Sequence, residues 1–145
     1  MRALWREDDT SYAGEFVNFA GVSCNPKPTA GAVPILIGGH TEFAARRAGR
    51  LGDGYFPATG SQADVWPLIE SARATALEHG RDPSALEITM GCPELAPDFD
   101  GDGVGAARAL EARGVHRIAL PLTPFMPDLE RSLETFAEHV IQKFS

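Results

Sequence analysis

The residues best placed to do chemistry in this 145-residue chain form one short run, Gly38-Gly39-His40-Thr41. Two successive glycines let a backbone pass close to a ligand. A threonine after them can cap a helix whose first N–H groups lack acceptors. A helix start of that kind holds phosphate, through free donors and the positive end of the helix dipole. His40 and Thr41 would add side-chain donors. The same glycines also suit a tight strand-to-helix turn with no ligand, and His40 serves equally well as a helix-start residue bonded to nearby backbone. The pattern alone leaves both readings open.

Other candidates are weaker. Glu94, directly after an apolar run, is placed to act as a base or to hold a substrate hydroxyl, yet nothing around it in sequence supplies a partner, and a solvated loop glutamate fits as well. Lys27 is either a solvated cation or a ligand for an anionic cofactor. The run Asp98-Phe99-Asp100-Gly101-Asp102-Gly103 imitates the start of a calcium-binding loop, but its twelfth position is Ala109 where calcium needs a bidentate glutamate, so no calcium site is expected. Asp100 or Asp102 capping the following helix is the better account. His79, His116 and His139 lack metal spacing, no metal is expected, and no catalytic acid or base can be nominated.

These residues need elements to position them. Ile35-Leu36-Ile37 reads as a strand buried on both faces, broken by the two glycines. Ala44, Ala48 and Leu51 then share one helix face, Gly52 ends the helix, and Tyr55-Phe56 begin a second strand. This is one parallel βαβ unit. Asp53 would fix the turn between helix and strand. Val65, Ile69, Ala72 and Ala76 keep helical spacing up to Gly80, with Ser61 and Asp64 competing as cap; Pro67 fits only near a helix start, which favours Asp64. Leu86–Gly91 is a third strand, with Ile88 and Met90 on one face. Val104, Ala107 and Leu110 face inward on a helix ended by Gly114, and Arg117–Leu122 is a fourth strand. Pro127 suits the first turn of a last helix striped by Leu129, Leu133, Phe136 and Val140. Upstream, Met1–Trp5 is the end of a helix, Tyr12–Glu15 a turn, and Phe16–Phe19 a strand against which Val22–Cys24 pairs back. Asn25-Pro26-Lys27-Pro28 is expected to be extended. The count is four strands alternating with four helices, as one domain over residues 1–145.

A net charge of −7 argues against nucleic acid or an anionic membrane as partner. No apolar run approaches the roughly eighteen residues of a membrane span, and residues 1–5 are too short for a signal peptide. Cys24 and Cys92 lie far apart, which suits reduced thiols and a cytoplasmic location.

PILIGGH, an Ala/Arg-rich helix and LGDGYFPA, taken with SYAGEFVNFAGVSCNPKP upstream and HGRDPSALEIT downstream, resemble the luciferase-like family of flavin- and deazaflavin-dependent oxidoreductases. The likeness runs from about Leu4 to Leu122 and is nearest to the branch using coenzyme F-420. It implies the C-terminal half of a (β/α)8 TIM-type barrel with a small N-terminal hairpin. In such barrels the strands' C-terminal ends carry the site, here Gly38, Gly39, His40, Pro57, Ala58, Thr59, Glu94 and Thr123. The resemblance implies that Gly38, Gly39, His40 and Thr41 bind the phosphate-bearing tail of F-420, or of FMN in the monooxygenase branch. It implies hydride transfer between that cofactor and a small organic substrate. Half a barrel further implies a homodimer, or pairing with an N-terminal half-barrel chain. A non-catalytic cofactor-binding or partner-pairing remnant, and an open doubly wound α/β domain, are the alternatives.

Overall fold

The computed structural model describes residues 1–57, 62–97, 100–126 and 128–144, and its contacts divide the chain into two units, Met1–Pro34 and Ile35–Ser145. Ala58, Thr59, Ser61, Asp98, Phe99 and Pro127 lie outside the described residues, and the readings made of them stay there.

In the first unit a short helix, α1 (Arg2–Arg6), precedes two antiparallel strands, β1 (Thr10–Ala13) and β2 (Asn18–Val22). The hairpin is therefore displaced from its expected place. Tyr12 pairs opposite Phe19, their rings stacked at 6.0 Å, and this cross-strand contact recruits a segment expected to turn. Asn25–Pro28 bends at a cis Asn25–Pro26 bond where an extended run was expected. Lys27 is neither solvated nor free for an anion. Its Nζ donates to Glu7 O at 2.7 Å and Leu4 O at 3.0 Å and pairs with Asp8 at 3.2 Å, so it satisfies carbonyls at the C-terminal end of α1.

The second unit alternates strand and helix: β3 (Leu36–Gly38), α2 (Glu42–Leu51), β4 (Gly54–Phe56), α3 (Gln62–Glu78), β5 (Glu87–Met90), α4 (Gly103–Ala112), β6 (Arg117–Ile118) and α5 (Leu129–His139). The four strands are parallel and stand in the order β3-β4-β5-β6. Each right-handed crossover then moves one strand in the same direction, which puts all the helices on one face. That is half of a (β/α)8 barrel. A doubly wound sheet would reverse its strand order at a switch point, and this one does not.

Helix α3 carries its expected face, with Val65, Ile69, Ala72 and Ala76 all buried. It starts at Gln62, however, so Asp64 lies in its first turn, and Pro67 sits a turn further in and forfeits the bond to Ala63 O. On α2 the buried face is Ala44, Ala45, Ala48 and Gly49, and Leu51 is exposed. The shift has a steric cause: a Cβ on Gly49 would stand 2.1 Å from Ala72 O, so small residues let α2 and α3 touch backbone to backbone. Arg81 reaches back to the C-terminal end of α2, its guanidinium donating to the carbonyls of Gly49 and Gly52.

The two edge strands are less buried than expected. Ile35, Leu36 and Ile37 are half-buried. β6 covers only Arg117–Ile118 of the expected Arg117–Leu122, although Ala119 N still donates to Met90 O at 2.9 Å. On α5, Leu133 is exposed while Leu129 and Phe136, with Val140 just past the helix, are half-buried, so this stripe lacks a full wall to pack against. Asp102 caps α4, its Oδ1 accepting from Gly105 N at 2.7 Å.

Candidate functional site

The parallel strands end on one side of the sheet, and the glycine turn lies there at the end of β3. Gly38 is exposed, and a Cβ on it would meet only Phe56 O, at an ordinary 3.8 Å. Gly39 differs. Its φ of +129° is one that side chains rarely adopt, and a Cβ there would approach that of Ala44 to 2.9 Å. Both of its backbone groups are also used within the protein. Gly39 N donates to Phe56 O at 3.1 Å, and the Tyr55 hydroxyl donates to Gly39 O at 2.8 Å. Gly39 thus has a geometric reason to be glycine, while Gly38 leaves open the space a ligand would approach.

Thr41 caps α2 as its position suggested, Oγ1 accepting from Ala44 N at 3.3 Å, which leaves its hydroxyl proton free to be donated. The N–H groups of Glu42 and Phe43, at the helix start, have no intrahelical acceptor. His40 is exposed and has no partner among the described residues. The Glu42 carboxylate accepts a hydrogen bond from the Ser71 hydroxyl at 2.6 Å. The turn thus offers backbone donors, one hydroxyl and one imidazole on an open side, a donor set that suits a phosphate.

Tyr55 was read only as a strand residue, yet it supports this turn from beneath. Its ring is fully buried in the core, and burial, with the Glu42 charge adding, pushes its pKa to about 12, so the hydroxyl stays a donor. A hydroxyl in an otherwise apolar strand was the available signal, because a buried Tyr O–H usually has a partner.

At the end of β5, Glu94 does have a partner. The Cys92 Sγ lies 3.4 Å from Glu94 Oε2, on either side of Pro93. Burial, reinforced by the neighbouring carboxylate, raises the Cys92 thiol to about 11, which leaves it protonated and a poor nucleophile. Beside it an apolar cavity of about 140 Å³ is lined by Gly91, Pro93, Leu120 and Phe125. Thr123 is exposed at the start of the 3-10 turn Thr123–Phe125, five residues past β6, and Pro57 is buried after β4. Asp53 is at the opposite end of the sheet, where its carboxylate accepts from Ile35 N at 2.8 Å and fixes the start of β3 to β4. Among the described residues no cluster of His, Cys, Asp or Glu could hold a metal ion, and no helix is long and apolar enough to cross a membrane.

A sequentially ordered parallel (β/α) half-barrel, with an open glycine turn at its strand ends, defines the class as TIM-type barrel proteins. Within that class the chain belongs to the luciferase-like monooxygenase family, whose model matches residues 1–96. An uncharacterised protein of Mycobacterium tuberculosis is 33% identical over 99% of this chain and 50% of its own length. An F420-dependent glucose-6-phosphate dehydrogenase of Nocardia farcinica is 32% identical over 70% of this chain and 30% of its own. Among solved structures, the coenzyme F420-dependent tetrahydromethanopterin reductase of Methanopyrus kandleri superposes with a TM-score of 0.78 at 15% identity, over 99% of this chain and 60% of that one. Monooxygenase RslO1 of Streptomyces bottropensis gives 0.68 at 23% identity, over 99% and 58%. At those identities the two structures show the fold alone. The chain spans half, or less, of the length of the curated relatives it matches.

Proposed function

We propose that this chain is the cofactor-tail-binding part of a luciferase-like oxidoreductase that transfers a hydride between coenzyme F-420 and a small organic substrate. One observation carries this reading: Gly38, exposed at the end of β3, is open where a side chain would stand, and it lies near the first N–H groups of α2, which have no intrahelical acceptor. The backbone of Glu42 and Phe43, the Thr41 hydroxyl and the His40 ring would hold the cofactor's phosphate. The deazaflavin supplies the hydride chemistry when bound. This chain's own task is to fix the phosphate end, and Tyr55 keeps Gly39 in the conformation that the task needs. Relatives whose names specify F420 favour it over FMN. The remaining strands, and with them the ring-binding surface and substrate pocket, would come from an N-terminal half-barrel or from a second copy.

The test is a fluorescence titration of F-420 and of FMN into the wild-type chain and into Gly38→Val. Gly39→Val is unsuitable, since its φ and its contact with Ala44 would disturb the fold itself. The expected result is tighter binding of F-420 than of FMN, with a loss of about tenfold or more in Gly38→Val at an unchanged melting temperature, as for one lost bond to a charged group. Equal affinity in the folded variant would move the site elsewhere.

A further inference from the structure

We propose that the arginine-bearing face of α2 holds the anionic chain that an F-420-type cofactor extends beyond its phosphate, its oligo-γ-glutamate tail. The proposal rests on the reading of Gly38–Thr41 as the phosphate site.

Its basis is a groove of about 820 Å³ that begins at the start of α2 and runs along the helix. Thr41 and Phe43 lie at the upper end, Arg46, Arg47 and Arg50 follow, and Thr75 of α3 and His79 just past its end also line it. The chain as a whole carries a charge of −7, so three arginines within five residues of one helix are a local reversal of sign. They are also poorly neutralised. Arg46 has a distant carboxylate, Glu78 at 3.9 Å, and among the described residues neither Arg47 nor Arg50 has one within reach.

Like charges three and four residues apart destabilise a helix. The dipole offsets this for Arg50, in the last turn, but not for Arg46 or Arg47. Glu42 also lines the groove, and the Ser71 hydroxyl bonds its carboxylate. Phe43, 88% exposed, offers an apolar face against which the methylenes of a glutamyl chain can lie.

The spacing selects the ligand. At 1.5 Å per residue, Arg46 and Arg50 lie about 8 and about 14 Å along the axis from Thr41. A phosphate held at the helix start is therefore remote from Arg50. FMN ends at its phosphate, whereas a tail of several glutamyl units brings carboxylates past all three guanidinium groups. The groove would therefore separate two cofactors that the glycine turn alone treats alike.

The deciding experiment compares F-420 bearing several glutamates with its tail-less form, which keeps the phosphate. Both are titrated by fluorescence into the full chain and into R46Q/R47Q/R50Q. Wild type should prefer the tailed form by about tenfold, a few-fold for each exposed ion pair, and the preference should shrink with added salt. The glutamine variant should bind both forms with the wild-type affinity for the tail-less one, and R46K/R47K/R50K should keep the preference. Equal binding of the two forms by wild type would overturn the tail site and leave the phosphate site standing. A preference that survives in the glutamine variant, or is lost in the lysine variant, would also overturn it. Failure of wild type to bind either form would overturn the phosphate reading, and the tail site with it.

Discussion

Gly38 and Gly39 are adjacent in sequence, yet they are glycine for different reasons. One turns through a backbone conformation closed to other residues, and the other stands open to solvent. Tyr55 is the device that separates these roles, so Tyr55→Phe is a sharp probe. It leaves Gly39 O without its donor and should cost about 1–2 kcal/mol in denaturant unfolding, with a weaker grip on F-420 at constant fold. The buried thiol gives a second prediction. Ellman's reagent should titrate the exposed Cys24 at once and Cys92 only after unfolding. Stability should also fall as pH rises. From pH 9.0 to about 11 the unfolded Cys92 thiol ionises while the folded one keeps its proton, and Tyr55 adds the same loss between 10.0 and about 12. A melting temperature that stays flat to pH 11 would contradict this.

Among the elements, the helical faces spaced at regular intervals were legible from sequence. Val65, Ile69, Ala72 and Ala76 needed only the helical period and a core to point at. What was not legible depended on partners remote in the chain. Leu51 is exposed because α2 turns its small residues toward α3, and nothing within Glu42–Leu51 reveals that neighbour. The hairpin shifted because Tyr12 stacks on Phe19, and Arg81 finds its acceptor, Gly49 O, 32 residues back in the chain. At the site, Gly38–Thr41 was visible as a run, but only the folded backbone's φ separates its two glycines. Gly49 makes the most direct test of α2 against α3. Gly49→Ala, normally favourable in a helix, should destabilise by about 3 kcal/mol, because the new methyl has no room beside Ala72 O. Thermal unfolding of this variant beside Gly21→Ala, where nothing lies within 4 Å and only the φ of +63° opposes the change, separates steric crowding from backbone strain.

For the whole molecule, the open edges at β3 and β6 matter most. Beside β6, a cavity of about 460 Å³ is lined by Val115, Ile118, Phe136, Val140 and Phe144, an apolar surface of the kind that marks association. Static light scattering at micromolar concentration should therefore find a dimer or larger species, unless an N-terminal half-barrel chain is supplied and takes its place. A lasting monomer that excludes hydrophobic dye would contradict this.

The sequential strand order also bears on how the chain acquires its fold. β3 pairs with β4, β4 with β5 and β5 with β6, so no strand waits for a partner synthesised much later. Each βαβ step closes a loop of one helix and its connections, so the entropic cost is met in modest instalments and pairing can advance in the direction of synthesis. Ribosome-bound chains stalled just past β4, and then past β5, should accordingly show amide protection spreading strand by strand from Leu36 onward.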